Sequence, residues 1–177
     1  MAKLTNRTIA VLATNGFEDS ELTSPVEAVT QEGATVRYIT PGGETIEGKN
    51  GTKIEADLST ADAKAQDFDS LILPGGTGNA DKLRLDKPAV EFVKDIFADS
   101  KPVGVICHGG WILTDADVVK GRTLTSFPSL QTDLRNAGAT WVDEECHVDN
   151  GLVSSRTPDD LPAFNAKIVE EFAEGEH

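Results

Sequence analysis

Two cysteines occur in the 177-residue chain, Cys107 and Cys146, and one of them is followed at once by histidine and two glycines: Cys107-His108-Gly109-Gly110. A thiolate is a nucleophile near neutral pH when a base or a helix start activates it. The run before it, Val103-Gly104-Val105-Ile106, is apolar, as a strand buried on both faces of a parallel sheet must be. The residue at the carboxyl end of such a strand sits at the rim where open α/β folds bind ligands. Glycines just after Cys107 allow a tight turn into the helix that Trp111-Ile112-Leu113 begins, which lifts the side chain out of the sheet. The arrangement resembles a nucleophile elbow, with Gly109 two places after the nucleophile and Val105 two places before. A helix start also pushes a thiol towards thiolate. The competing reading is an inert core cysteine, since free cysteine is among the most buried residue types.

Two further loops, and the histidine beside Cys107, carry candidate chemistry. Glu18, after Asn15-Gly16-Phe17, is placed to reach Cys107 from a neighbouring strand end. A carboxylate beside a thiolate is unfavourable, so one of the two should hold the proton. A protonated Glu18 would then donate to the thiolate, or Glu18 and Asp19 simply favour the positive start of a helix. Gly75 and Gly76 could aim backbone N–H groups at a developing oxyanion together with the N–H of His108, or form only a tight turn. His108 is a candidate base that needs an acid to orient it. Asp81 is a candidate for that acid, from this chain or a neighbouring subunit, against the reading of a surface residue in a helix start.

The elements that position these residues follow from the pattern. Arg7–Ala13 reads as a buried first strand, and Ser24-Pro25-Val26-Glu27 as a helix start with serine as cap and proline in the first turn. Ala34–Thr40 is a second strand, which completes a β-α-β crossover. Residues 44–57 form a polar excursion with a hairpin signal at Asn50-Gly51. Asp69–Leu73 is a strand that ends at Pro74-Gly75-Gly76, and Pro88–Asp99 has a helical period. After the Cys107 strand come a short strand at Thr123–Thr125, a helix over Leu130–Gly138, and a strand at Ala139–Val142. An Asn-Gly hairpin over Val148–Val153 and a closing helix over Asp160–Glu174 complete the pattern. The alternation predicts one doubly wound parallel α/β sheet, a single domain over residues 1–177.

Composition narrows the function. Thirty acidic against sixteen basic residues give a net charge of −14, which repels phosphate backbones and argues against nucleic acid as a partner. No apolar run approaches a membrane span, and Met1–Arg7 leads into the first strand without an apolar signal core. A cytoplasmic protein with reduced cysteines is expected, and no cysteine or histidine spacing suggests a metal site.

Taken together, Gly16–Leu22, Leu73-Pro74-Gly75-Gly76, Leu83-Arg84 and Val105-Ile106-Cys107-His108-Gly109 resemble the PfpI/DJ-one superfamily within the class I glutamine amidotransferase-like proteins. The resemblance is to its PfpI-type intracellular cysteine peptidase and general-stress branch, and it continues through Gly121–Ser126 and Asn136–Ala139. It implies a flavodoxin-like sandwich, a homodimer or higher oligomer, and Cys107 on a strained elbow. It also implies Glu18 as the buried acid against the thiol, and His108 as base with Asp81 of the next subunit as its acid. Two departures stand out: Gly110 where the family commonly has proline or alanine, and Asp81 where peptidase-like members carry glutamate. Cys146-His147 has no functional assignment.

Two functions are expected. One is a cofactor-free thiol hydrolase: Cys107 attacks a small electrophilic carbonyl or its adducts to give a hemithioacetal, and hydrolysis yields a hydroxy acid. Peptide hydrolysis is its acyl-transfer relative. The other is a stress protein, redox-sensing or chaperone-like, that uses oxidation of Cys107.

Overall fold

A computed structural model of the chain describes residues 2–176. Met1 and His177, the two ends of the expected domain, lie outside the described residues. In chain order the elements are β1 (Thr8–Leu12), α1 (Asp19–Gln31), β2 (Thr35–Thr40), β3 (Ile46–Glu47), β4 (Lys53–Ile54), β5 (Leu58–Ser59) and β6 (Ser70–Leu73). Then follow α2 (Thr77–Leu83), α3 (Lys87–Ala98), β7 (Val103–Ile106), α4 (Trp111–Asp115), β8 (Thr123–Leu124), α5 (Gln131–Asn136) and β9 (Thr140–Trp141). The chain closes with β10 (His147–Asp149), β11 (Leu152–Ser155) and α6 (Leu161–Glu174).

The main sheet has seven strands in the order β10-β11-β7-β6-β1-β2-β5. All pair in parallel except β10, which returns antiparallel to β11 at the edge. The expected doubly wound α/β sandwich is therefore present, with one antiparallel edge strand. Alternate residues of β1 face opposite layers: Ala10 and Leu12 meet the layer of α2 to α5, while Ile9 and Val11 meet α1 and α6. Phe17, Phe164 and Phe172 are fully buried in the second layer. Each such side chain contributes about 1.5–3 kcal/mol relative to exposure.

One helix start differs from the sequence expectation, and the difference matters for the site. Helix α1 begins at Asp19 with Glu18 in the extended cap conformation, so Ser24 is no cap and Pro25 lies inside the helix. Pro25 has no N–H for the carbonyl of Glu21, four residues back, a loss that usually ends a helix. Here Leu22, Pro25 and Val29 form one buried stripe, and packing outweighs that preference. The turn after β7 also differs. Cys107–Gly110 form a 3-10 turn, and α4 has only five residues.

The polar excursion contains the β3–β4 hairpin that Asn50-Gly51 signalled. Among the described residues no helix is long and apolar enough to cross a membrane.

Candidate active site

The loops after β1, β6 and β7 converge on one rim of the sheet, and hydrogen bonds lock them to one another. Glu18 N donates to Gly75 O at 3.1 Å. Asn79, buried on α2, accepts from Thr14 N at 2.7 Å and donates to the carbonyls of Pro74 and Gly75, both at 3.1 Å. One amide side chain thus ties two of the three loops, a role that nothing in its sequence neighbourhood signalled. The cleft they enclose is about 220 Å³ and is lined by Glu18, Glu21, Lys49, Cys107, His108 and Phe127, among others.

Cys107 follows β7 with φ +62°, a left-handed conformation that a non-glycine residue adopts only at a cost of about 1–2 kcal/mol. That strain is the elbow expected from the sequence: it turns the thiol into the cleft, where the residue keeps 8% of its surface exposed. The backbone N–H groups of His108 and Gly76 point at the sulfur. Nδ1 of His108 lies 3.3 Å from Sγ, and its ring stacks on Phe127 at 4.5 Å. The two adjacent side chains therefore do face each other across the turn.

The acid against the thiol is Glu21, and this corrects the expectation for Glu18. Glu18 is half-buried at the cleft mouth and pairs with Lys49 Nζ at 3.0 Å. Glu21, three residues on, has no exposed surface and lies against the Cys107 thiol and the N–H of Gly75. These contacts are loose, for neither carboxyl oxygen has a partner at full hydrogen-bond geometry among the described residues. Burial first, and the charge of Glu18 second, push Glu21 up to about 8. Burial, and then the charge of Glu21, push the Cys107 thiol up to about 12. The two groups resist ionising together, so near neutral pH Glu21 keeps its proton and can donate it towards sulfur. Burial, with Lys49 second, pushes His108 below the usual imidazole range.

The signal for Glu21 was present in its spacing. Glu21, Pro25 and Val29 recur every four residues, so a helix that starts at Asp19 buries all three. A helix start at Ser24 leaves Glu21 in a loop and hides the pattern.

Gly75 and Gly76 divide the labour expected of both. A Cβ on Gly75 would strike the Glu21 carboxyl and stand 2.8 Å from Cys107 Cβ, so glycine is what lets the two groups approach. Its N–H is turned to Glu21. Gly76, at φ +98°, aims its own N–H at the sulfur. Asp81 lies exposed on α2 and is not among the residues that line the cleft. At His108 Nε2 stands Ser129 Oγ, 3.3 Å away. Within one chain the structure thus joins Cys107, His108, Gly76 and Glu21, with Glu18 at the rim and Asp81 outside. Among the described residues no group of three or more His, Cys, Asp or Glu side chains is placed to hold a metal ion.

The sequence pattern of the DJ-1/PfpI family matches residues 7–171, a span that includes all of these groups. The chain belongs to the DJ-1/PfpI family. Over 167 residues it is 45% identical to "Protein/nucleic acid deglycase 2" of Escherichia coli K12, covering 93% of this chain and 96% of that protein. It is 44% identical over 164 residues to "General stress protein 18" of Bacillus subtilis, covering 91% and 95%. The crystal structure of Drosophila melanogaster DJ-1beta superposes with a TM-score of 0.86 at 27% identity, over 94% of this chain and 90% of that one. The DJ-1/PfpI fold thus accounts for the whole layered sheet and for the rim on which Cys107 stands.

Proposed function

We propose that the protein is a cysteine-dependent, stress-protective hydrolase of small reactive carbonyls or of their adducts on proteins. The observation that carries this reading is Cys107 in its left-handed turn, with two N–H groups aimed at sulfur and the proton-bearing Glu21 beside it. The names of two relatives, a deglycase and a general stress protein, support the same reading.

For a 2-oxoaldehyde the steps balance without a cofactor. The Cys107 thiol gives its proton to solvent and adds to the aldehyde to give a hemithioacetal: the sulfur–carbon bond forms, and Glu21 passes its proton to the oxygen and is left a carboxylate. Glu21 takes the proton from that carbon and returns one to the neighbouring carbonyl carbon through an enediol, which leaves a 2-hydroxy thioester. Water, deprotonated by His108, cleaves the thioester to a 2-hydroxy acid and restores the thiol. The N–H groups of Gly76 and His108 stabilise charge that develops beside sulfur. Peptide hydrolysis requires an acid behind His108 Nε2, and within the chain that place holds the neutral hydroxyl of Ser129.

The test is methylglyoxal consumption with lactate formation by the native chain and by Cys107→Ala. Turnover that vanishes in the variant supports the hydrolase. No turnover, with Cys107 rapidly oxidised by peroxide, replaces it with a redox-responsive stress protein.

A further inference from the structure

Lys49 sits in the turn of the β3–β4 hairpin, and that turn is tied to the front of α1. The carboxyl of Asp19 accepts from Asn50 N at 2.9 Å and from Thr52 N at 3.0 Å. Lys49 N donates to Phe17 O, and Gly16 N to Glu47 O, each at 2.9 Å. A Cβ on Gly48 would stand 2.7 Å from the Asp19 carboxyl, so only glycine lets the turn close this tightly. The hairpin is thereby held to deliver the Lys49 ammonium into the Cys107 cleft, where it pairs with Glu18. No other lysine or arginine lines that cleft among the described residues.

We propose that Lys49 is the counter-cation of the Cys107 thiolate, a positioning residue that also keeps His108 neutral while the thiolate forms. The charged and titratable groups around the sulfur are Glu18 and Glu21 from the start of α1, His108 from its own turn, and Lys49 from the hairpin. Glu21 opposes the thiolate when ionised, and Lys49 is attracted to it. A cation beside both a thiol and an imidazole favours loss of the proton from each. His108, 3.3 Å from sulfur, would otherwise take the thiol proton and become imidazolium. With Lys49 present the proton passes to solvent hydroxide as water, no electrons move, and His108 remains a base for the hydrolytic step. Glu18 competes for the same ammonium and so moderates the effect.

This inference rests on Cys107 as the nucleophile, and its readout is separate from turnover. Iodoacetamide alkylation of the full chain, followed at Cys107 by peptide mass spectrometry, is measured against pH for the native chain, Lys49→Met, Lys49→Arg and Glu18→Gln. NMR follows the His108 imidazole in the same set. Lys49 is half-exposed, so solvent screening limits the expected shift to about one pH unit, or about tenfold slower alkylation near neutrality in Lys49→Met. The imidazole should titrate higher in that variant, Lys49→Arg should restore both profiles, and Glu18→Gln should shift the thiol the other way. Thermal unfolding shows whether each variant is folded. Unchanged profiles in folded Lys49→Met, or a loss that arginine does not restore, overturn the inference. Methylglyoxal turnover that survives Cys107→Ala overturns the nucleophile itself.

Discussion

The carboxyl of Glu21 meets the thiol of Cys107 across the gap that Gly75 leaves open, with no water-exposed surface of its own. A carboxyl in that place can move protons only if it exchanges them with the reacting carbon. Glu21→Gln keeps the shape and a donor but removes proton transfer. Turnover should fall by about 10²–10⁴-fold, the usual worth of a positioned acid or base. Alkylation of Cys107 should persist, because glutamine leaves a neutral donor beside the sulfur, as the protonated carboxyl does. Rapid-quench alkylation beside steady-state lactate formation separates the two.

The same carboxyl makes stability depend on pH. Its folded value, about 8, stands above the ordinary 4.5, so the folded chain binds more protons between those limits. The contribution is complete below about pH 4.5 and is lost as pH rises through about 8, at up to about 1.4 kcal/mol per unit. Urea unfolding midpoints should fall from pH 5 to pH 8 in the native chain, and the fall should be smaller in Glu21→Gln. Equal slopes would show that the carboxyl is not held protonated.

Asp160 provides the opposite case. It is 3% exposed and accepts from Arg156 Nε and Nη2, both at 3.0 Å, and from Arg156 N at 2.9 Å. Burial opposes its ionisation, but the Arg156 bonds outweigh that and hold it below the usual aspartate range. Its contribution is present above about pH 4 and is lost as pH falls through the depressed folded value. The Arg156 side chain is 30% exposed, which lowers the worth of the pair. Asp160→Asn should cost about 2 kcal/mol at pH 7, and the gap to the native chain should close in acid. The Pro158–Asp160 turn carries Pro158 into the cleft lining, so KM should rise as well. A pH-independent loss of stability would contradict the ion-pair account.

Much of this was legible in the chain itself. Val103–Ile106 announced a buried strand because an apolar run of that length fits a sheet covered on both faces, and Cys107 followed as the rim residue. The β3–β4 hairpin was legible in Asn50-Gly51 for a local reason, since a left-handed turn asks for those residues. What was hidden depends on contacts distant in sequence. Pro25 advertises a helix start, and only the packing of α1 against α6 shows it inside the helix, which moves the buried acid from Glu18 to Glu21. Asn79 ties the loops around the cleft and Lys49 enters it through bonds that span about 30 to 65 positions, and no local pattern encodes those.

The neighbours of Gly110 demand little of it. It has φ −72° and ψ −10°, helical angles, where the 3-10 turn after β7 runs on into α4. A Cβ there would meet Val105 Cγ2 at 3.8 Å, an ordinary contact. Alanine therefore adopts the native backbone without strain and restricts the unfolded chain. Gly110→Ala should stabilise the protein by about 0.5–1 kcal/mol. Gly75→Ala, whose Cβ would strike Glu21 and crowd Cys107, should cost about 1–3 kcal/mol and abolish turnover. Unfolding midpoints for the two variants, run beside methylglyoxal turnover, should move in opposite directions. A Gly110→Ala chain that melts below the native one would mean that the turn after Cys107 needs a backbone freedom that its dihedral angles do not show.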